Sequence, residues 1–133
     1  MQLVVPNDPI LRTNCRPDFV IRRGTVEGML WLLRQYGGYG LAAPQVGIDA
    51  RLFVTKWNEV FVNPRIVAIS EPVSSVEGCL SLPGVTATLT RWNKIRLADG
   101  RTYEGEQAIV IQHEIDHLNG VLISDLSKPR IPG

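Results

Sequence analysis

The stretch from Gln112 to Leu118 carries the residues with the clearest capacity for chemistry. It contains the pattern HExxH, in which His113 and His117 stand four residues apart and Glu114 follows the first histidine. Residues at i and i+4 share one face of an α-helix, so both imidazoles can reach the same ion. Glu114 then lies beside an open coordination position. The motif predicts a metal site for hydrolysis.

The alternative is an amphipathic helix whose histidines are satisfied by ordinary hydrogen bonds. The chain holds only two histidines, which makes chance a poor explanation for this spacing. A catalytic site needs a third protein ligand. No histidine follows His117, and Asp125 is the only later acidic residue, so we expect the third ligand to come from upstream.

Cys79 is the natural candidate for that ligand. A cysteine and two histidines would leave one tetrahedral position open for water. The competing interpretation is a buried apolar thiol, the common state of a free cysteine. Two cysteines cannot form a disulfide framework, and Cys15 is then expected to be an ordinary thiol.

The elements that must position these residues follow from hydrophobic spacing. A first helix is predicted over 25–36, with Thr25 as N-cap and Gly37 and Gly38 ending it. A second helix is predicted from about Gly105 to Leu118, with Gly120 positioned to stop it. Between them, short strands are predicted over 52–54, 60–62, 65–69, 85–92 and 94–97, with turns at 63–64 and 99–100. This order indicates an α+β domain.

Three segments, taken in chain order, closely resemble the signature motifs of peptide deformylases: GYGLAAPQ over 38–45, EGCLS over 77–81 and QHEIDHLNG over 112–120. The segment DPILR over 8–12 is similar to one near the family's amino terminus. The resemblance therefore covers most of the chain. It implies an α+β fold with mostly antiparallel sheets around a central metal-binding helix, and a substrate bound along a strand edge.

The activity implied by this resemblance is metal-dependent hydrolysis of the N-formyl group from the amino-terminal formylmethionine of nascent polypeptides, which releases formate. Cys79, His113 and His117 would hold the metal, and Glu114 would act as general base. The side-chain amide of Gln45 and the backbone N–H of Leu80 would stabilise the charged oxygen. Substrate contacts are expected at Gly38, Tyr39, Gly40, Glu77, Gly78, Glu106, Ile109 and Val110, although core packing explains Ile109 and Val110 equally well.

The resemblance implies one divalent metal ion per chain. Iron(II) is the ion usually associated with bacterial members, and zinc, nickel or cobalt can occupy the site. A Cys/His₂ ligand set does not discriminate cleanly among them.

Two departures from the family pattern bear on function. Thr86 stands where many bacterial relatives carry an arginine that touches the substrate backbone, so recognition beyond methionine is expected to differ. Pro129 and Pro132 disfavour the C-terminal helix with which relatives dock on the ribosome. We therefore expect a short form, compatible with a virus-encoded relative, that meets the ribosome only transiently.

Two competing functions remain open. Another HExxH metalloamidase or metalloprotease would cleave ordinary peptides and use a third ligand other than Cys79. A non-catalytic metal-binding relative would have no use for Glu114 or Gln45, because structural sites usually fill all four positions with protein ligands.

Length and charge bound the partners. The 133 residues predict a single domain over 1–133. A net charge of +1 gives no electrostatic case for binding nucleic acid. No apolar run approaches the roughly 20 residues that cross a membrane, and the amino terminus lacks signal-peptide character. We expect a monomer in the bacterial cytosol, or in the host cytosol if the protein is virus-encoded.

Overall fold

The computed structural model describes residues 1–126. Pro129 and Pro132, on which the expectation about a terminal helix rests, lie outside the described residues. Three α-helices are present in this range: α1 (Thr25–Tyr36), α2 (Gly105–Leu118) and the short α3 (Ile123–Leu126). Six strands accompany them: β1 (Gly40–Ala42), β2 (Leu52–Thr55), β3 (Val60–Val62), β4 (Ile66–Cys79), β5 (Leu82–Leu97) and β6 (Thr102–Glu104).

Helix α1 covers one face of the first sheet. Its buried residues Met29, Leu32 and Leu33 pack in a cluster with residues of β1 and β2. The predicted span and stop are confirmed: Gly37 ends the helix with a left-handed φ of 66°, a conformation that glycine adopts without a Cβ clash. The predicted cap was wrong by one residue. Gly24 occupies the N-cap position without a side-chain hydrogen bond, and Thr25 is already helical.

The strands form two antiparallel three-stranded sheets, ordered β1-β2-β3 and β4-β5-β6. The sequence predicted short strands over 65–69, 85–92 and 94–97, but these ranges belong to one long hairpin of β4 and β5. The hairpin turns at Leu80 and Ser81. Much of β4 is exposed on both faces, so no apolar alternation marked its length. The EGC motif, residues 77–79, therefore belongs to strand β4, and Cys79 is the last residue of that strand.

Helix α2 lies between the two sheets, and its predicted span is confirmed. Residues from both sheets pack on its apolar side in one cluster, comprising Ala42, Phe53, Phe61, Ile95, Leu97, Ala108, Ile111 and Leu118. The fold is therefore α+β, as the order of elements predicted, with antiparallel sheets around a central helix, as the family resemblance implied. None of the helices within residues 1–126 is long and apolar enough to cross a membrane.

Candidate active site

Cys79, His113 and His117 converge at one point between β4 and α2. One potential ligand atom from each lies within 4.8 Å of the other two, and Cys79 Sγ is 3.3 Å from His117 Nε2. The two imidazoles come from successive turns of α2, with ring centroids 5.1 Å apart. The cluster is the arrangement that HExxH and Cys79 predicted.

The donor set fits a borderline divalent ion. With metal–sulfur and metal–nitrogen bonds of about 2.3 and 2.0 Å, a tetrahedral site places sulfur and nitrogen about 3.5 Å apart, close to the observed 3.3 Å. His117 Nδ1 is buried and has no hydrogen-bond partner among residues 1–126. The other ring nitrogen of His117, Nε2, is the one that faces the Cys79 thiol.

A charged network supports His113 from behind. Its Nδ1 lies 2.8 Å from Glu77 Oε1, and Arg91 donates two hydrogen bonds to the same carboxylate, each 2.8 Å long. Arg91 also donates to Asp116 at 2.6 Å. Burial raises the pKa of Glu77, but the hydrogen bonds from Arg91 and His113 outweigh it and lower that pKa to about 2. Glu77 is therefore an ionised carboxylate that fixes the orientation of the His113 imidazole.

This network was missed at the sequence level. Glu77 was expected to contact substrate; it lines the cavity, but its carboxylate is engaged by Arg91 and His113. Arg91 lies 14 residues beyond Glu77, on the other strand of the hairpin. The one available signal was a lone arginine in an otherwise apolar alternation, which would have indicated a buried charge pair.

Glu114 lies beside the cluster and is 3% exposed. Its Oε2 is 4.0 Å from His113 Nε2. Burial raises the pKa of Glu114 to about 7, because the charged form is costly away from water. A Cβ at Gly40 would lie 2.7 Å from Oε2, so only glycine at this position lets the carboxylate fit against β1.

Gln45 is buried in a short 3₁₀ turn, Ala43–Val46, that follows β1. Its Oε1 accepts a hydrogen bond from the Ala42 N–H at 2.9 Å, and its Nε2 donates to Ser81 Oγ at 3.0 Å. Nε2 also lies 3.9 Å from Cys79 Sγ. The amide is thereby held with its N–H side toward the cluster of Cys79, His113 and His117. Ser81 was part of the EGCLS motif, but the sequence assigned it no role.

A cavity of about 850 Å³ opens onto the cluster. It brings together every sequence-predicted site residue except His117, which lies behind the wall. Gly38, Tyr39 and Gly40 form one side, and Glu77, Gly78, Cys79 and Leu80 another. The remaining predicted residues in the wall are Gln45, Glu106, Ile109, Val110, His113 and Glu114. Thr86, paired with Gly78 in the hairpin, also lines the cavity.

The fold and the site define a metal-dependent hydrolase: a Cys/His₂ cluster and a buried carboxylate face one open cavity. Comparison with known proteins gives the family. The model of the family described as polypeptide deformylase matches residues 1–131. The peptide deformylase of Thermotoga neapolitana is 39% identical, over 92% of this chain and 84% of that protein.

Solved structures agree. The crystal structure of the Thermotoga maritima peptide deformylase superimposes with a TM-score of 0.87 at 38% identity, covering 96% of this chain and 97% of that one. The deformylase of the Vibrio parahaemolyticus bacteriophage VP16T, solved in complex with actinonin, gives a TM-score of 0.82 at 33% identity and covers 92% and 100%, respectively. The chain belongs to the polypeptide deformylase family.

Peptide deformylases are metalloenzymes that hydrolyse the N-formyl group from the amino-terminal formylmethionine of nascent polypeptides, releasing formate, and this is the chain's activity. The family match removes the reason to assign an unrelated HExxH protease, and the presence of Glu114 and Gln45 argues against a non-catalytic metal-binding relative.

Proposed function

We propose that Cys79, His113 and His117 hold one divalent metal ion and that Glu114 is the general base for deformylation. The observation that carries this proposal is the convergence of three ligand atoms within 4.8 Å of one another beside a buried carboxylate. When bound, the ion supplies Lewis acidity and makes a bound water acidic near neutrality.

Glu114 handles the proton. Its pKa of about 7 matches a group that must accept a proton at one stage and return it at another near neutral pH. It takes the proton from the attacking water and passes it to the leaving amine of methionine. Its position under Gly40, with Oε2 on the side of His113, supports both transfers.

Gln45 and Leu80 stabilise the formyl oxygen as it gains charge. The Gln45 amide is fixed by Ala42 and Ser81, so its N–H group is oriented before substrate arrives. Leu80 lies in the turn directly after Cys79 and lines the cavity, which supports a role for its backbone N–H. Loss of one such donor typically costs about 100-fold in rate.

The substrate binds as an added strand. In the described sheets β1 and β4 are both edge strands, so each presents unpaired backbone groups on one side. The cavity lies between these edges and is lined by Gly38, Tyr39 and Gly40 on one side and Gly78 on the other. Backbone groups there grip the peptide.

The methionine side chain enters the cavity against α2. Ile109 is half-buried and Val110 is 7% exposed, and both line the cavity one turn before His113. Glu106 is exposed at the rim. Thr86, short and uncharged, gives the peptide beyond methionine less contact than the arginine of many relatives, which alters sequence preference.

Iron(II) is the native ion in this proposal, and zinc, nickel or cobalt can substitute, because thiolate and imidazole suit all of these ions. The protein works as a single-domain monomer in the cytoplasm, where nascent chains are made, in a bacterium or in the host of a virus. The near-neutral charge supports only transient contact with the ribosome.

The test combines metal analysis of anaerobically purified protein with an assay of formyl-Met-Ala-Ser beside unformylated Met-Ala-Ser. We expect one equivalent of metal per chain and release of formate from the formylated peptide. The peptide bonds of both substrates should stay intact. Cleavage of the unformylated peptide, or formate release by metal-free protein, would contradict the proposal.

A further inference from the structure

Besides His117 Nδ1, two buried polar atoms near the site have no hydrogen-bond partner among residues 1–126. Thr55 Oγ1 and Glu114 Oε1 form no hydrogen bond with any of residues 1–126, although Thr55 is 1% and Glu114 3% exposed. Buried hydroxyl and carboxylate oxygens are almost always hydrogen-bonded, to protein or to an ordered water. Thr55 is the last residue of β2, and neither the sequence motifs nor the proposed mechanism uses it.

Strand pairing places Thr55 directly opposite Gly40. The Lys56 N–H donates to the Tyr39 carbonyl at 2.8 Å, so the flanking residues carry the ladder bond and Thr55 and Gly40 form a non-hydrogen-bonded pair. Side chains of such a pair project to the same face and approach most closely. Whatever occupies the empty side-chain position of Gly40 is therefore a neighbour of Thr55.

That position is occupied by Glu114. An ideal Cβ on Gly40 would lie 2.7 Å from Glu114 Oε2 and 2.9 Å from its Cδ. The neighbouring pair on this face of the sheet, Ala42 and Phe53, packs in the same cluster as Ile111 of α2. This face of the sheet therefore contacts α2. Glu114 Oε2 is the oxygen on the His113 side. Oε1 is left for another partner.

We propose that Thr55 is a positioning residue, whose hydroxyl holds Glu114 Oε1 through one buried water molecule. A water in such a site needs at least two polar partners, and the hydroxyl can donate to it or accept from it. With Oε1 held, the carboxylate cannot rotate, and Oε2 stays directed at the reacting proton. The inference rests on the proposed role of Glu114 as base.

The matched pair Thr55→Val and Thr55→Ser tests it. Valine keeps the shape and removes the hydroxyl, whereas serine keeps the hydroxyl and removes the methyl group. With formyl-Met-Ala-Ser and equal metal loading, we expect Thr55→Val to lower kcat by about fivefold with KM unchanged, because the interaction acts on the chemical step alone. Thr55→Ser should stay within about twofold of the wild type. In a Glu114→Gln background, Thr55→Val should have no further effect on kcat.

The thermal midpoint of the metal-free protein is the second readout. If the hydroxyl is hydrogen-bonded, Thr55→Val lowers Tm; if it is truly unpartnered, removing it raises Tm. A higher Tm with unchanged kcat overturns the proposal, as does an equal loss of kcat in both variants, which would assign the effect to methyl packing. A wild-type protein unable to release formate would instead overturn the proposed function, while a lower Tm in Thr55→Val would still support the contact.

Discussion

Glu77 Oε1 lies 2.8 Å from His113 Nδ1. This contact places the imidazole proton on Nδ1 when the ring is neutral and leaves Nε2 free for a metal ion. In the metal-free protein, burial lowers the pKa of His113, but hydrogen bonds to Cys79 and Glu77 outweigh it and raise that pKa to about 10. If His113 is a metal ligand, as proposed, metal binding displaces a proton from it.

Replacing Glu77 with Gln should weaken metal binding by about 10- to 100-fold, the usual effect of losing a carboxylate behind a ligating histidine. Competition with a chelator measures it. The control is Glu71→Gln, which removes an exposed glutamate paired with Lys94 at 3.0 Å and should leave metal affinity unchanged. Equal affinities for wild type and Glu77→Gln would show that the contact does not support the ligand.

Stability of the metal-free protein should depend on Glu77 in acid. Its pKa, about 2 when folded, lies below the ordinary value of roughly 4.3. The stabilisation is thus fully present above about pH 4.3 and is lost as the pH falls toward 2. Urea unfolding of wild type and Glu77→Gln should give a difference in free energy of unfolding that shrinks across this range. A difference independent of pH would contradict the assigned ionisation.

The sequence predicted the parts of the site whose spacing is local. His113, Glu114 and His117 follow from one helical turn, and the bounds of α2 follow from its apolar spacing. The charge network could not be predicted in the same way, because Arg91 reaches Glu77 across a hairpin whose first strand, β4, carries little apolar alternation. No sequence pattern singled out Thr55, because its proposed role depends on a strand pairing with Gly40.

Cys79→Ala should abolish activity and weaken metal retention, because a three-ligand site becomes a two-ligand one. Metal content after gel filtration is the measurement. Cys15→Ala is the matched control, since Cys15 is the only other cysteine in the chain. We expect Cys15→Ala to keep its metal; wild-type metal content in Cys79→Ala would remove Cys79 from the ligand set.

Air should distinguish the iron and nickel forms. If iron(II) is the native ion, the iron-loaded enzyme loses activity on exposure to oxygen, because oxidation of the ion and of the coordinating thiolate is then possible. The nickel-loaded enzyme should retain activity under the same conditions. Half-lives in air, measured by formate release, provide the comparison, and equal half-lives would count against the iron assignment.

The turnover of Glu114→Gln at equal metal content tests the central claim most directly. Glutamine keeps the shape of the side chain but cannot accept the proton, so metal binding should persist while kcat falls by about 100-fold or more. His113→Ala, by contrast, should lose metal and activity together. If fully metal-loaded Glu114→Gln kept more than about a tenth of wild-type turnover, base catalysis would contribute less than about 1.4 kcal/mol, and the role assigned to Glu114 would be wrong.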